Sequence, residues 1–243
     1  MTGRNIKLVA GWGHEGRDCQ FLGEKLSSYG KVEMTSVTEL RVRNEVFSYA
    51  TACRDMIMRS GEPCVLVGWS MGAMVALETL ARFTTPISHV ILIAGTSKFC
   101  NCSDYKAGVS VHDLKALRAG LNFAPQASLR FFLKRVGFPR DLPVETINAK
   151  AAEMMAVGIG TLNEGLLYLA QFDVRDYFSR MSVPTLAIHG KQDRIIPWQA
   201  SEYIAGHIAG SKLCVHDEEG HRIPLDAPDV VASDIIDFLE ENK

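Results

Sequence analysis

The run Gly68-Trp69-Ser70-Met71-Gly72 sets a serine between two glycines, at the spacing a nucleophilic hydroxyl requires in a tight turn. A strand-like apolar run, Cys64-Val65-Leu66-Val67, leads into it, and Ala73-Met74-Val75-Ala76-Leu77 continues as a helix. A nucleophile at such a junction sits in a strained backbone conformation. Side chains two positions to either side would collide, hence Gly68 and Gly72. The turn exposes the Ser70 hydroxyl and aims the helix N-terminus at it, so the Met71 backbone N–H can donate to a developing oxyanion.

A serine hydroxyl needs an imidazole to take its proton, and the imidazole needs a carboxylate to fix its tautomer. In chain order the expected sequence is Ser, then Asp or Glu, then His, each on a loop after a strand. Of seven histidines, His221 fits: Glu218-Glu219-Gly220-His221 follows the run Lys212–His216 and precedes the last helix. His216, His89 and His189 fall in or at the ends of strands, where a structural role is expected, and His14, His112 and His207 are out of order or out of place. Asp193 lies in the loop after the strand Thr185–His189, while Asp173 and Asp176 are rivals from the preceding helical stretch. A second oxyanion donor is expected from Ala10-Gly11-Trp12-Gly13, with Trp12 the donating residue. Ser70, Asp193 and His221 therefore predict a serine hydrolase.

The elements that must position these residues alternate. Strand-like runs are Ile6–Ala10, Val32–Val37, Cys64–Gly68, His89–Ala94, Thr185–His189 and Lys212–His216. Helical patterns separate them at Gly16–Ser28, Glu45–Arg59, Met71–Phe83, Trp198–His207 and Asp229–Asn242, the last just after Pro228. This is the pattern of βαβ units around a mostly parallel sheet, an α/β fold. Residues 99–180 break the alternation with helical patterns at Asp113–Leu121, Gln126–Val136, Val144–Val157 and Leu162–Phe172. The expected organisation is a core of residues 1–98 and 181–243 interrupted by a helical lid, 99–180.

Composition narrows the function classes. The chain has 243 residues, 47% hydrophobic and 22% charged, a profile expected of a soluble globular protein. A formal net charge of −2 without a basic run makes no case for nucleic acid. The N-terminal apolar run is too short for a signal peptide, and no stretch reaches membrane-helix length, so neither a membrane nor export is expected. The six cysteines are expected as free thiols, which suits a cytoplasmic home. Cys100-Asn-Cys102 is too lone a pair for a zinc site, and neither metal nor cofactor is expected.

The Gly68–Gly72 turn, the Ala10–Gly13 loop, Ala94-Gly95-Thr96-Ser97 and Gly190-Lys191-Gln192-Asp193 together resemble the α/β hydrolases. Phe172-Asp173-Val174-Arg175 before Val183-Pro184-Thr185-Leu186, with Gly-Trp-Ser at the turn, narrows the resemblance to the pimeloyl-[acyl-carrier protein] methyl ester esterases of biotin synthesis. The family's His at the start of the first loop is here Ala10, and its Asp-x-x-Gly-x-Gly-x-Ser turn is absent from Met34 to Arg43. The resemblance implies hydrolysis of a pimeloyl methyl ester carried on acyl-carrier protein, through an acyl-enzyme on Ser70. It implies that Trp12, Trp69, Phe131 and Phe132 line the acyl pocket. Basic residues of the lid, Arg130, Lys134, Arg135 and Arg140, would grip the acidic carrier. A broad esterase or thioesterase acting on small esters, a C–C-bond hydrolase, an acyltransferase that excludes water and a non-catalytic ligand-binding protein share these residues and remain alternatives.

Overall fold

The computed structural model describes residues 4–40 and 48–243. Arg4–Ala10 forms β1, and a 3₁₀ turn at Gly16–Cys19 leads into α1, Gln20–Leu26. The single helix expected over Gly16–Ser28 is thus two pieces; the Asp18 carboxylate accepts from the Glu15 N–H at 3.1 Å and closes the tighter first turn. Gly30–Ser36 is β2 and Val37–Leu40 a helical turn, α2. Val37 belongs to that turn, which the Ser36 hydroxyl starts by accepting from the Glu39 N–H at 3.2 Å. Helix α3 is Tyr49–Ser60, and the first residues of the expected Glu45–Arg59 helix lie outside the described residues.

Strand β3, Cys64–Trp69, runs into α4, Met71–Arg82, and β4 is Ile87–Ile93. Ala94, expected at the end of β4, takes φ +48° and turns the chain out of the sheet. Between β4 and β5, Thr185–Gly190, lie α5 (Val111–Phe123), α6 (Pro125–Gly137), α7 (Val144–Val157), α8 (Ile159–Gln171) and a 3₁₀ turn at Arg175–Arg180. Helix α9, Gln199–His207, β6, Lys212–His216, the turn α10, Ile223–Asp226, and α11, Pro228–Glu241, complete the chain.

Among the described residues six strands form one parallel sheet, in the order β2-β1-β3-β4-β5-β6. Strand period two sorts the core into two layers. Ile6, Leu8, Val65, Val67, Trp69, Ile91, Ile93, Leu186 and Ile188 pack with Leu22, Leu26, Ile235 and Phe238 of α1 and α11. Val9, Leu66, Val90 and Leu92 face the other way, towards α3, α4 and α9, in a layer that runs on into α5–α8. The chain reverses its direction of strand addition between β1 and β3. In an open parallel sheet that switch point opens a crevice beyond the strand C-termini. The loops after β1 and β3 border it, and they carry Trp12 and Ser70. No described helix is long and apolar enough to cross a membrane, and all six cysteines are free thiols.

Candidate active site

The turn after β3 holds Ser70 at φ +57° and ψ −123°, a conformation that L-residues rarely adopt and that a tightly packed turn can enforce. The packing is visible at Gly72, where a Cβ would lie 2.0 Å from the Val9 carbonyl oxygen. The Ser70 N–H donates to the Ile93 carbonyl at 2.9 Å, and the Ser70 carbonyl accepts from Ala73, which pins the turn between β4 and the first turn of α4. Met71 opens α4, where a backbone N–H has no earlier turn to pair with. Across the crevice, Gly11 approaches so closely that a Cβ there would sit 2.8 Å from the Ser70 Cβ and 3.2 Å from its Oγ.

The structure brings Ser70, Asp193 and His221 into one hydrogen-bonded chain. His221 Nε2 is 2.9 Å from Ser70 Oγ, and His221 Nδ1 is 2.7 Å from Asp193 Oδ2. The Asp193 carboxylate is fully buried, and its other oxygen accepts the backbone N–H groups of Ile195 and Ile196 at 2.6 and 3.0 Å. Burial raises its pKa, but the charge and hydrogen bonds offered by His221 and His189 outweigh that and hold the carboxyl well below the usual range. An ionised Asp193 only accepts, so His221 Nδ1 carries the proton and Nε2 presents its lone pair to the Ser70 hydroxyl.

His189, assigned a structural place in a strand by sequence, turns out to brace this carboxylate. Its Nε2 is 3.0 Å from Asp193 Oδ2 and 3.1 Å from the Ile196 carbonyl, and its Nδ1 is 2.7 Å from Ser201 Oγ. Both partners of Nε2 are acceptors, so Nε2 bears the hydrogen and the Ser201 hydroxyl donates to Nδ1. The sequence signal is present: His189 lies in β5, four residues before Asp193.

Ser70 and His221 open on a cavity of about 500 Å³ whose wall is mainly apolar, with Phe99, Leu114, Leu117, Leu166 and Leu169 alongside Trp12, Phe131 and Phe132. Trp12 stands edge-on to Phe132 at 5.0 Å between centroids, and its indole N–H donates to the Leu162 carbonyl of α8 at 2.9 Å. Phe131 is largely exposed at the rim.

Trp69 does not line this cavity, contrary to expectation. Strand alternation puts it with Val65 and Val67 on the face covered by α1 and α11. There its indole N–H donates to the His221 carbonyl at 2.9 Å, so it props the loop that carries the imidazole. The expected basic group also divides. Arg140 is held by both oxygens of Glu219, at 2.6 and 3.0 Å, and by Asp226, so its charge is spent on the His221 loop and it leaves the docking set. Arg135 bonds the Arg194 carbonyl and reaches the cavity rim, Arg130 points to Asn148 of α7, and Lys134 is exposed on α6.

His14 is the cavity residue that chain order had set aside. The turn closed by its N–H to the Gly11 carbonyl, at 3.2 Å, brings it beside the nucleophile. Its Nδ1 is 2.8 Å from Asp18 Oδ2, and Lys150 of α7 makes an ion pair with the same oxygen. Burial lowers the His14 pKa to about 4; the Asp18 bond opposes this and the Lys150 charge adds to it. Asp18 resists its own burial through hydrogen bonds from His14 and Lys150, which keep it ionised far below the usual range.

A family model described as alpha/beta hydrolase fold matches residues 60–228. A biotin biosynthesis bifunctional protein BioHC of Cellvibrio japonicus is 25% identical over 99% of this chain, which spans 48% of that protein, about half its length. The pimeloyl-[acyl-carrier protein] methyl ester esterase of Vibrio cholerae is 23% identical over 97% of this chain and 94% of its own. Among solved structures, an esterase from Exiguobacterium antarcticum superposes with a TM-score of 0.85 at 20% identity, over 98% of this chain and 92% of that one. MenH from S. aureus gives 0.79 at 19% identity, over 100% and 95%.

Proposed function

The chain belongs to the alpha/beta hydrolase fold family, and from that premise we propose that it is a serine carboxylesterase that releases methanol from pimeloyl-[acyl-carrier protein] methyl ester in biotin synthesis. The observation that carries the chemistry is the continuous bond chain from Asp193 through His221 to Ser70 Oγ at the wall of a largely apolar cavity. The substrate rests on the relatives named for that ester and on a cavity whose wall suits a methylene chain.

In this mechanism Ser70 Oγ attacks the ester carbonyl while its proton passes to His221 Nε2. Asp193, ionised and without a lysine or arginine bonded to it among the described residues, stabilises the imidazolium. The backbone N–H groups of Met71 and Trp12 receive the oxyanion. Collapse of the tetrahedral adduct breaks the ester C–O bond, and His221 gives its proton to the departing methoxide. Water then attacks the acyl-enzyme, losing a proton to His221, and the free carboxylic acid leaves as Ser70 recovers its hydrogen. Helices α5–α8 act as the lid, and Arg130, Lys134 and Arg135 on α6 offer cations to the acidic carrier.

The test is methanol release from methyl pimeloyl-[acyl-carrier protein] by the wild type beside Ser70→Ala. Release by the wild type alone supports the proposal. Cleavage of small esters without release from the carrier-bound ester would retain a general carboxylesterase and remove the biotin-pathway substrate.

A further inference from the structure

His14 presents the cavity with an acceptor that the serine mechanism above does not use. Its Nδ1 faces Asp18, which is ionised and can only accept, so Nδ1 carries the ring hydrogen. Nε2 on the other edge therefore holds a lone pair, and no described residue donates to it. His14 is among the residues that line the cavity containing Ser70 and His221. Trp69, the residue before the nucleophile, packs against both imidazoles, with ring centroids 4.4 Å from His14 and 6.0 Å from His221. Two histidine acceptors thus border Ser70, one from the loop after β6 and one from the loop after β1. Burial lowers the His14 pKa to about 4, so at neutral pH His14 accepts hydrogen bonds but takes no proton.

We propose that His14 is a second acceptor for the water that attacks the acyl-enzyme, and that it selects water over alcohols at that step. The inference rests on the serine-esterase mechanism proposed above. An attacking water has two O–H groups, one donating to His221 Nε2 and one free to donate to His14 Nε2. Methanol has one O–H, which His221 requires, and its methyl group would face the lone pair of His14. The proton balance of deacylation is unchanged: His221 takes the proton that leaves the water, and His14 keeps the second O–H hydrogen-bonded throughout. Such a bond favours hydrolysis over return of the departed alcohol, which would remake the ester. Asp18 and Lys150 act through His14 as positioning residues, fixing its tautomer and keeping it neutral.

The experiment is product partition with p-nitrophenyl butyrate in rising methanol, counting butyrate against methyl butyrate, with the nitrophenolate burst recording acyl-enzyme. The wild type is expected to form less methyl butyrate than butyrate at equal molarities of methanol and water. His14→Leu should raise the ester-to-acid ratio about tenfold, the loss of one hydrogen bond in the attacking step. His14→Gln, whose carbonyl oxygen can still accept, should stay nearer the wild type. A ratio in His14→Leu within twofold of the wild type overturns the proposal while leaving the serine mechanism intact. Should that variant not fold, a wild type that already favours methyl ester at equal molarities overturns it as well. Undiminished turnover in Ser70→Ala would instead overturn the underlying mechanism and this inference with it.

Discussion

Two His–Asp pairs flank Trp69, and they differ in what stands behind the carboxylate. Asp193 is bonded by two imidazoles and two backbone N–H groups, with no bonded lysine or arginine among the described residues. Asp18 is bonded by one imidazole, one backbone N–H and Lys150. The charge of Asp193 is therefore available to an imidazolium formed at His221, whereas that of Asp18 is already matched by a fixed cation. Similar ring-to-carboxylate distances, 2.7 and 2.8 Å, thus support different chemistry. One pair makes a base, and the other makes a neutral acceptor. A histidine beside an aspartate is not enough to mark a catalytic base; the rest of the aspartate's coordination decides.

The largest effect that can break this contrast is at Asp193. Asp193→Asn, which removes the charge and disturbs the tautomer of His221, should lower kcat on a small ester by roughly 10⁴-fold. Asp18→Asn should cost far less in the same assay, and equal losses would erase the distinction. His221→Ala should cost at least as much as Asp193→Asn, because the imidazole itself carries the proton.

The next effect is on stability. The His14 pKa is lowered from 6.5 to about 4, so between those values the unfolded chain binds a proton that the folded chain does not. Stability from this group is complete above the unfolded pKa and falls as pH drops towards 4, by about 3 kcal/mol in all. Urea unfolding at pH 7, 5.5 and 4 should show the wild type losing its advantage over His14→Leu through this window. Lys150→Met, by removing a cation that disfavours imidazolium, should raise the His14 pKa and narrow the window, as followed by NMR titration of the imidazole. Asp18 and Asp193 have the opposite charge type: their lowered pKa values give stability above the usual carboxylate range that is lost only as the pH falls below it.

Smaller effects sharpen the assignment of the supports. His189→Phe removes one donor to Asp193 and should reduce kcat about tenfold, with KM for a small ester nearly constant. Trp69→Phe keeps the ring but loses the bond to the His221 carbonyl, and about a fivefold loss is expected. A change in acyl-chain preference from Trp69→Phe would return that residue to the cavity wall and contradict its place on the α1/α11 face.

The fold was legible because its signals are local. Alternating apolar strands and helices, and the glycines at 68 and 72, report short-range sterics that one stretch of sequence carries whole. The order of Ser70, Asp193 and His221 added the connectivity. The resemblance implies Trp69 in the pocket, and the sequence does not disclose which parity of β3 faces which helical layer to correct it. Neither could it disclose an ion pair between Asp18 and Lys150, 132 residues apart. Chain order identifies one base and leaves His14 out, while three-dimensional packing supplies a second imidazole from the loop after β1. The resemblance implies a docking role for Arg140, and its pairing with Glu219 and Asp226 is a tertiary fact that the sequence does not carry.

The account stands most directly on Ser70 as the acylated residue. Rapid quenching of the wild type with p-nitrophenyl butyrate, followed by peptide mass spectrometry, should find one butyryl group per chain, on the peptide containing Ser70, at the amplitude of the nitrophenolate burst. Butyrylation at a cysteine, or turnover with a full burst in Ser70→Ala, would contradict it.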